Sequence, residues 1–281
     1  MLFNSIKNIY IAEKMKISII TINRNNDSGL QKTLNSVISQ SASDFEHIII
    51  DGASTDNSVE TIKKYAADSV IGNRVHWVSE PDNGVYCAMN KGVVRARGEY
   101  LLFLNSGDYL FDSDVIDKII TRLDSDIVYG SLLLSDNDTS KVVSYTDKLN
   151  FTYFLSGTIP HPATFIRREL FDNQLYSECY KISSDWEFFM LAICRYNASY
   201  KRVDDVITVF DNYGISSDPA NAELIETEHK DSIGRNFRHF LTAYEEMKML
   251  VEYKTRIDKF KGNRWLKLGY KLGLFKQYKY L

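Results

Sequence analysis

The sequence predicts an α/β fold: a mostly parallel sheet flanked by helices, a mixed second half and a helical C-terminal tail. Three observations lead there. Through Asp126, short β-branched or apolar runs alternate with stretches of helical spacing. That is the rhythm of βαβ units and of a parallel, right-handed sheet. Two of the runs, His47-Ile48-Ile49-Ile50 and Leu101-Leu102-Phe103-Leu104, end in polar, acidic and glycine residues. Ligands of open α/β sheets gather at such carboxyl ends. After Ile127 the rhythm lapses into irregular strands, and from Ala220 onward the pattern is helical and highly charged.

Each element has its own signal. Ile17–Ile22 is β-branched at nearly every position and reads as the first strand. Asn23–Ser28 is a polar loop, after which Leu30, Leu34, Val37 and Ile38 recur at helical spacing. The second strand ends at Asp51, and Asp56 or Ser58 is placed to cap a helix carrying Val59, Ile62 and Ala66 on one face. Val75–Ser79 is a third strand. Pro81-Asp82-Asn83-Gly84 forms a turn into a helix through Met89 and Val93 that Gly98 stops. Tyr100–Leu104 is the fourth strand, and Val115, Ile116, Ile119 and Ile120 mark the next helix. In the second half, Ile127–Leu134 and Val142–Tyr145 read as strands around polar Ser135–Ser140, and Thr164–Ile166 is another. Trp186–Tyr196 is a strong helix, followed by two short strands, Tyr200–Val203 and Ile207–Phe210.

With 281 residues the chain is long enough for one large α/β domain with a substantial core and a tail. Its 44% hydrophobic and 25% charged residues place it with soluble globular proteins. A net charge of −3 argues against a nucleic-acid partner. Cys87, Cys179 and Cys194 fit neither a zinc site nor a disulfide framework, which favours a reducing, cytoplasmic compartment. Lys7, Glu13, Lys14 and Lys16 interrupt the apolar runs that a secretory leader needs, and nothing approaches the roughly 20 apolar residues of a membrane span.

The ordered motifs make the chain resemble a known family. They are Ser18-Ile19-Ile20-Thr21, Asp51-Gly52-Ala53-Ser54-Thr55-Asp56, Glu80-Pro81-Asp82-Asn83-Gly84-Val85-Tyr86 and Ala88-Met89-Asn90-Lys91-Gly92. Leu104-Asn105-Ser106-Gly107-Asp108, His161-Pro162-Ala163-Thr164-Phe165 and Ser184-Asp185-Trp186-Glu187 complete the series. Each is weak alone. In this order they resemble the family-2 inverting glycosyltransferases with the GT-A fold, particularly bacterial polysaccharide-assembly members of the colanic-acid or capsule type. The resemblance runs from about Lys16 to Ser216 and implies a GT-A catalytic domain over residues 1–218. Its Rossmann-like nucleotide half spans about 16–126 and its acceptor half about 127–218, with a helical, basic extension over 219–281.

The resemblance also implies roles. Asp51 matches the aspartate that binds the donor's nucleoside, where a carboxylate accepts from a base N–H or ribose hydroxyls. Thr21 matches a position that contacts the base through its backbone. Asn23, Arg24, Ser54 and Asn105 fall with them at the donor nucleotide. Asp82 is either a nucleotide contact or a turn-forming residue, and Lys91 either a phosphate contact or a solvated helix lysine. Asn105-Ser106-Gly107-Asp108 occupies the place of the Asp-x-Asp metal motif, with Asn105 and Gly107 where the family pattern has other residues. Asp108 alone keeps a carboxylate, and it is the expected ligand of a divalent cation, Mg²⁺ or Mn²⁺, shared with the donor diphosphate. Asp185 matches the general base that takes the acceptor hydroxyl's proton, although an Asp at a helix start also serves as a cap. His161, Trp186 and Glu187 are acceptor-side or supporting candidates, with core packing the alternative for His161 and Trp186. Arg167 and Arg168 are either acceptor-diphosphate contacts or solvated basic residues, and Gly214-Ile215-Ser216 resembles a loop near the donor.

The tail carries Lys259, Lys261, Arg264, Lys267, Lys271, Lys276 and Lys279, interleaved with aromatic and leucine residues and free of acids. Residues 259–281 thus suit an anionic membrane surface or a packed helix, in this chain or in a homo-oligomer. The function expected is metal-dependent transfer of a hexosyl or N-acetylhexosaminyl group. The donor would be a nucleotide-diphosphate sugar, UDP-linked by preference, and the acceptor a hydroxyl of a surface polysaccharide or lipid-linked glycan. The enzyme would be cytoplasmic and peripheral at the inner face of the plasma membrane. The rivals are a catalytically silent scaffold of polysaccharide assembly and another nucleotide-sugar enzyme.

Overall fold

The computed structural model describes residues 15–67, 70–136, 139–211 and 218–262. Gly214-Ile215-Ser216, the leader reading and most of the tail lie outside them. The first half runs β1 (Ile17–Asn23), α1 (Asp27–Ile38), β2 (Phe45–Asp51), α2 (Ser58–Ala66), β3 (Val75–Ser79), α3 (Val85–Arg95) and β4 (Tyr100–Phe103). Strands β2, β1 and β4 are buried at every residue, which is why they read as continuous apolar runs rather than alternating ones. Ile20, Ile22, Ile48 and Ile50 face the core under α3, and Ile17, Ile19 and Ile49 face the core that also contains Leu30 and Leu34 of α1. Gly92 lets α3 lie close on β1, since a Cβ there would sit 2.5 Å from Ile20.

The second half adds β5 (Tyr109–Leu110), α4 (Val115–Ile120), β6 (Ile127–Asp136), β7 (Thr139–Val143), α5 (Phe151–Phe154), β8 (Thr164–Arg167), α6 (Ser184–Cys194) and β9 (Tyr200–Asp211). Helices α7 (Ala222–Asn236) and α8 (Leu241–Gly262) follow. Among the described residues the sheet has nine strands, ordered β3-β2-β1-β4-β8-β6-β9-β5, with β7 beside β6. Strands β3, β2, β1 and β4 are parallel. Beyond β4 the sheet is mixed: β8 runs antiparallel to both β4 and β6, and β6 is parallel to β9. The predicted parallel first half and mixed second half are both present.

Several boundaries differ from the sequence reading. The two short strands expected at 200–203 and 207–210 are one strand, β9, because its pairing with β6 continues across a bulge near Gly130. A Cβ at Gly130 would lie 2.6 Å from Asp205 O, so only glycine permits that approach. The strand expected at 142–145 is β7 and lies earlier, at Thr139–Val143. Helix α6 starts two residues earlier than expected and is capped by neither Ser184 nor Asp185; Ser183 is its N-cap residue. At α2 the N-cap is Asn57, and Asp56 reaches past it to accept the Ser58 N–H at 3.0 Å.

Candidate active site

The strand order sets the place of the site. The chain moves from β1 out to β2 and β3, then returns to the other side of β1 for β4. Such a reversal opens a crevice at the carboxyl ends of the two central strands. The loop after β1 contributes Asn23 to Asn26, and the turn after β4 contributes Asn105 to Asp108.

Asn23, Asp51 and Ser79 are in register at the ends of β1, β2 and β3. The Asp51 carboxylate binds both neighbours and the following loop. It accepts from Asn23 Nδ2 at 2.9 Å, Ser79 Oγ at 2.6 Å, and the Ser54 N–H and Oγ at 2.9 and 2.5 Å. Burial pushes its pKa up, but the bonds from Ser54, Ser79 and Asn23 outweigh burial and hold it below the usual range. A carboxylate offers about four lone-pair sites, and here all are in use. Asp51 is the knot that ties three strand ends together.

Gly52 lies between two further candidates. A Cβ there would sit 2.5 Å from Asp82 Oδ2 and 3.3 Å from Arg24 Cδ. Asp82 also accepts the Gly84 N–H at 3.1 Å, the turn-forming bond at the start of α3. The exposed Arg24 guanidinium has no hydrogen-bond or ion-pair partner among the described residues. Asn23, Arg24, Asp51, Ser54 and Asp82 are thus brought together.

Two other donor-site candidates are engaged elsewhere. Thr21 is two residues short of the strand end and fully buried, donating to Leu104 O at 2.7 Å. Its single proton is then spent, so His47 Nε2, 2.9 Å away, is the donor and His47 Nδ1 accepts from Tyr65. Burial lowers His47 to about 3, so the ring is neutral. Lys91 points back at its own helix start, bonding Pro81 O and Glu80 at 2.9 Å each.

The 105–108 turn is held by α1. Thr33 Oγ1 donates to Asp108 O at 2.7 Å and accepts the Gly107 N–H at 3.0 Å, and Asn26 Nδ2 donates to Ser106 O at 3.0 Å. Gly107, at φ 110°, supplies the left-handed backbone that closes the turn. Asp108 is 6% exposed. Two amide oxygens, Asn23 Oδ1 at the end of β1 and Asn105 Oδ1 in this turn, are buried without a hydrogen-bond partner. The Asn23 orientation is fixed, because its Nδ2 donates to a carboxylate that only accepts. No group of three or more His, Cys, Asp or Glu converges among the described residues. A single carboxylate suits a hard cation that takes its other ligands from substrate phosphate and water.

Asp185 lies in the first turn of α6, where its Oδ1 accepts Tyr86 O–H at 2.8 Å. That single hydroxyl proton is shared, because Ile182 O lies 2.5 Å from the same oxygen. Burial, with the Asp185 charge adding to it, raises Tyr86 and Tyr176 well above the usual tyrosine value. Burial lowers His161, which hydrogen-bonds Tyr176 and stacks on Phe103 at 4.9 Å. Asp185 therefore stands against neutral, largely aromatic surroundings, and His161 is their structural floor.

Trp186 and Glu187 are engaged with other elements. Trp186 is 3% exposed, donates Nε1–H to Phe154 O at 2.8 Å, and is covered by His229 of α7 at a ring separation of 3.7 Å. It is a core residue with no face left for a sugar. Glu187 accepts from Ser232 and Asn236 of α7 at 2.7 and 3.1 Å. Residues two apart on a helix do not share a face, so Glu187 does not orient Asp185. Arg167 is spent on Glu99 and Asp126, at 2.8 and 3.1 Å. Tyr86 was given no role from the sequence, although it lies within the Glu80–Tyr86 motif, which was the signal that could have found it. His229 and Glu228, on a charge-rich helix, carried no such signal.

Known proteins agree with this architecture. Residues 18–180 match Glycosyl transferase family 2. A PGL/p-HBAD biosynthesis glycosyltransferase of Mycobacterium tuberculosis is 33% identical over 177 residues, 61% of this chain and 67% of that protein. The putative teichuronic acid biosynthesis glycosyltransferase TuaG of Bacillus subtilis is 36% identical over 96 residues, 34% of this chain and 37% of its own length. Among solved structures, S. aureus TarS 1-349 in complex with UDP-GlcNAc superposes with a TM-score of 0.61 at 20% identity, covering 78% of this chain and 67% of that one. The mannosyltransferase PcManGT of Pyrobaculum calidifontis, in complex with GDP-Man and Mn²⁺, gives 0.57 at 13% identity, covering 90% and 83%. Against a longer TarS structure the chain spans 37% of the length. The chain belongs to glycosyl transferase family 2 and has the GT-A fold.

Proposed function

We propose that this family-2 glycosyltransferase inverts configuration, moving a sugar from a UDP-sugar to a hydroxyl of a surface polysaccharide or lipid-linked glycan. The observation that carries the proposal is Asp185: a carboxylate held by Tyr86 at a helix start, against neutral walls. A base fixed in this way needs position more than a high pKa, because the acceptor proton becomes acidic only as the C–O bond forms. The donor's nucleoside lies in the crevice at the ends of β1, β2 and β3, among Asn23, Arg24, Asp51, Ser54 and Asp82. Asp51 shapes that crevice, and it meets the base only by exchanging one of its serine hydroxyls. Arg24 is the unengaged cation there, suited to diphosphate, and the Asn105 amide oxygen suits a ribose hydroxyl. TarS in complex with UDP-GlcNAc and PcManGT in complex with GDP-Man support a nucleotide-sugar donor.

Asp108 is the residue that would hold Mg²⁺ or Mn²⁺, with the donor diphosphate supplying further oxygens. Bound there, the cation would neutralise charge developing on the leaving diphosphate. Calorimetry with UDP, GDP and uridine, with and without each metal, tests the donor side. Asp108→Ala should abolish the gain in UDP affinity that the metal confers and leave uridine binding unchanged. If the metal still strengthens UDP binding to the mutant, Asp108 is not the ligand.

For the C-terminal segment the proposal is an anionic membrane surface at the cytoplasmic face. Met249, Leu250, Tyr253 and Ile257 are exposed along the second half of α8, and the uniformly basic 259–281 follows directly. No helix among the described residues is long and apolar enough to cross a membrane. Deleting the chain after Lys259 should leave donor hydrolysis intact and reduce sedimentation with phosphatidylserine vesicles. Each basic residue near such a surface contributes about 1 kcal/mol, so full-length binding should weaken as salt rises. A full-length protein that ignores these vesicles at low salt would leave the packed-helix alternative.

A further inference from the structure

Helix α7 lies beyond residues 18–180, the stretch matched by the family. It reads as a solvated charged helix, with Glu223, Glu226, Lys230 and Asp231 around Glu228. Glu228 departs from that reading. It is 6% exposed, and its carboxylate faces three successive backbone amides. Oε1 accepts from the Lys181 N–H at 2.7 Å, and Oε2 accepts from the Ile182 and Ser183 N–H groups at 3.1 and 2.9 Å.

Those amides belong to the three residues before α6, whose second residue is Asp185. Consecutive N–H groups converging on one carboxylate form a charge-assisted anion nest. The opposite side of the segment is held by Tyr86, whose one hydroxyl proton is shared between Ile182 O and Asp185 Oδ1. Residues 181–185 are therefore gripped from two directions, on their amides by α7 and on a carbonyl and the carboxylate by α3. Helix α7 also meets Trp186 through His229, and Glu187 through Ser232 and Asn236, so it engages residues on both sides of Asp185 in sequence.

We infer that Glu228 is a positioning residue for transfer: its nest of three amides fixes the segment that aims Asp185 at the acceptor hydroxyl. The C-terminal helical extension thereby forms part of the transferase site. This rests on Asp185 being the base, and the test separates the two claims.

The test uses the full chain, with UDP release from UDP-GlcNAc and water as acceptor. Glu228→Gln keeps the shape but offers a single accepting oxygen and turns an NH₂ group toward amide donors. Its kcat should fall about 10²-fold, the loss expected for misplacement of about 1 Å, with UDP affinity unchanged. Ser232→Ala removes one of the two bonds from the same helix to Glu187, and should keep kcat. In an Asp185→Asn background, Glu228→Gln should add little, because both act on one group. Should Glu228→Gln fail to fold, Glu228→Asp, which keeps the charge but not the reach, should show the same split. Normal kcat in the Glu228 variant, equal loss in Ser232→Ala, or full additivity with Asp185→Asn would each overturn the inference. Normal turnover by Asp185→Asn alone would sink the base assignment and this inference with it. Loss there beside normal turnover by Glu228→Gln sinks this inference only.

Discussion

Asp185→Asn is expected to lower glycosyl transfer by about 10²-fold or more, the range for removal of a positioned base, while donor binding stays intact. The change is close to isosteric. The amide oxygen of Asn still accepts the Tyr86 O–H, so the 2.8 Å bond and the start of α6 survive. What disappears is the capacity to take a proton. Donor affinity by calorimetry and turnover by UDP release, measured on the same preparation, separate the two effects. A folded mutant that binds UDP and turns over normally would remove Asp185 from the chemistry.

Asp51→Ala should produce the largest loss of stability. Four bonds end on this one carboxylate, and truncation leaves Asn23 Nδ2, the Ser54 N–H and two hydroxyls without their acceptor in a buried site. Unmet buried donors cost about 1–3 kcal/mol each, and the hydroxyls can rotate to other partners. A net loss of about 3 kcal/mol, or roughly 6–12 °C in Tm, is expected, together with weaker uridine binding. The pH dependence has a definite sign. Asp51 has a folded pKa below its unfolded value, so its stabilisation is complete above the usual carboxylate range of about 4. It drains away as pH falls through the lower folded value. Asp51→Ala should therefore be less sensitive to acid than the parent below about pH 4. Parallel acid limbs in the two proteins would show that this carboxylate does not govern them.

The first half was legible because its physics is local. Runs such as Ile48-Ile49-Ile50 are buried on both faces, and burial on both faces leaves no alternation to misread. The second half depends on partners far away in sequence. Tyr109–Leu110 is a strand only because Val209 and Thr208 pair with it, and two residues carry no periodicity. Asp204-Asp205 looked like a break in β9, yet the strand continues because Gly130 admits its backbone. Side-chain orientation was the least legible feature. Trp186 and Glu187 stand beside Asp185 in sequence, and the helix turns both toward other neighbours. Glu228 resembles every other glutamate on α7 until its three amide partners are known.

The engagement of α7 with α6 bears on how such enzymes are recombined. A graft that crosses over at residue 218 would carry the whole family-matched stretch and Asp185, yet it would strip His229 from Trp186 and Glu228 from the 181–183 amides. Such chimeras should express poorly or turn over slowly even with every motif of residues 18–180 in place. A productive crossover belongs after Asn236, where α7 ends. Exchange of acceptor preference between relatives would then require α6 and α7 to travel together as one cassette.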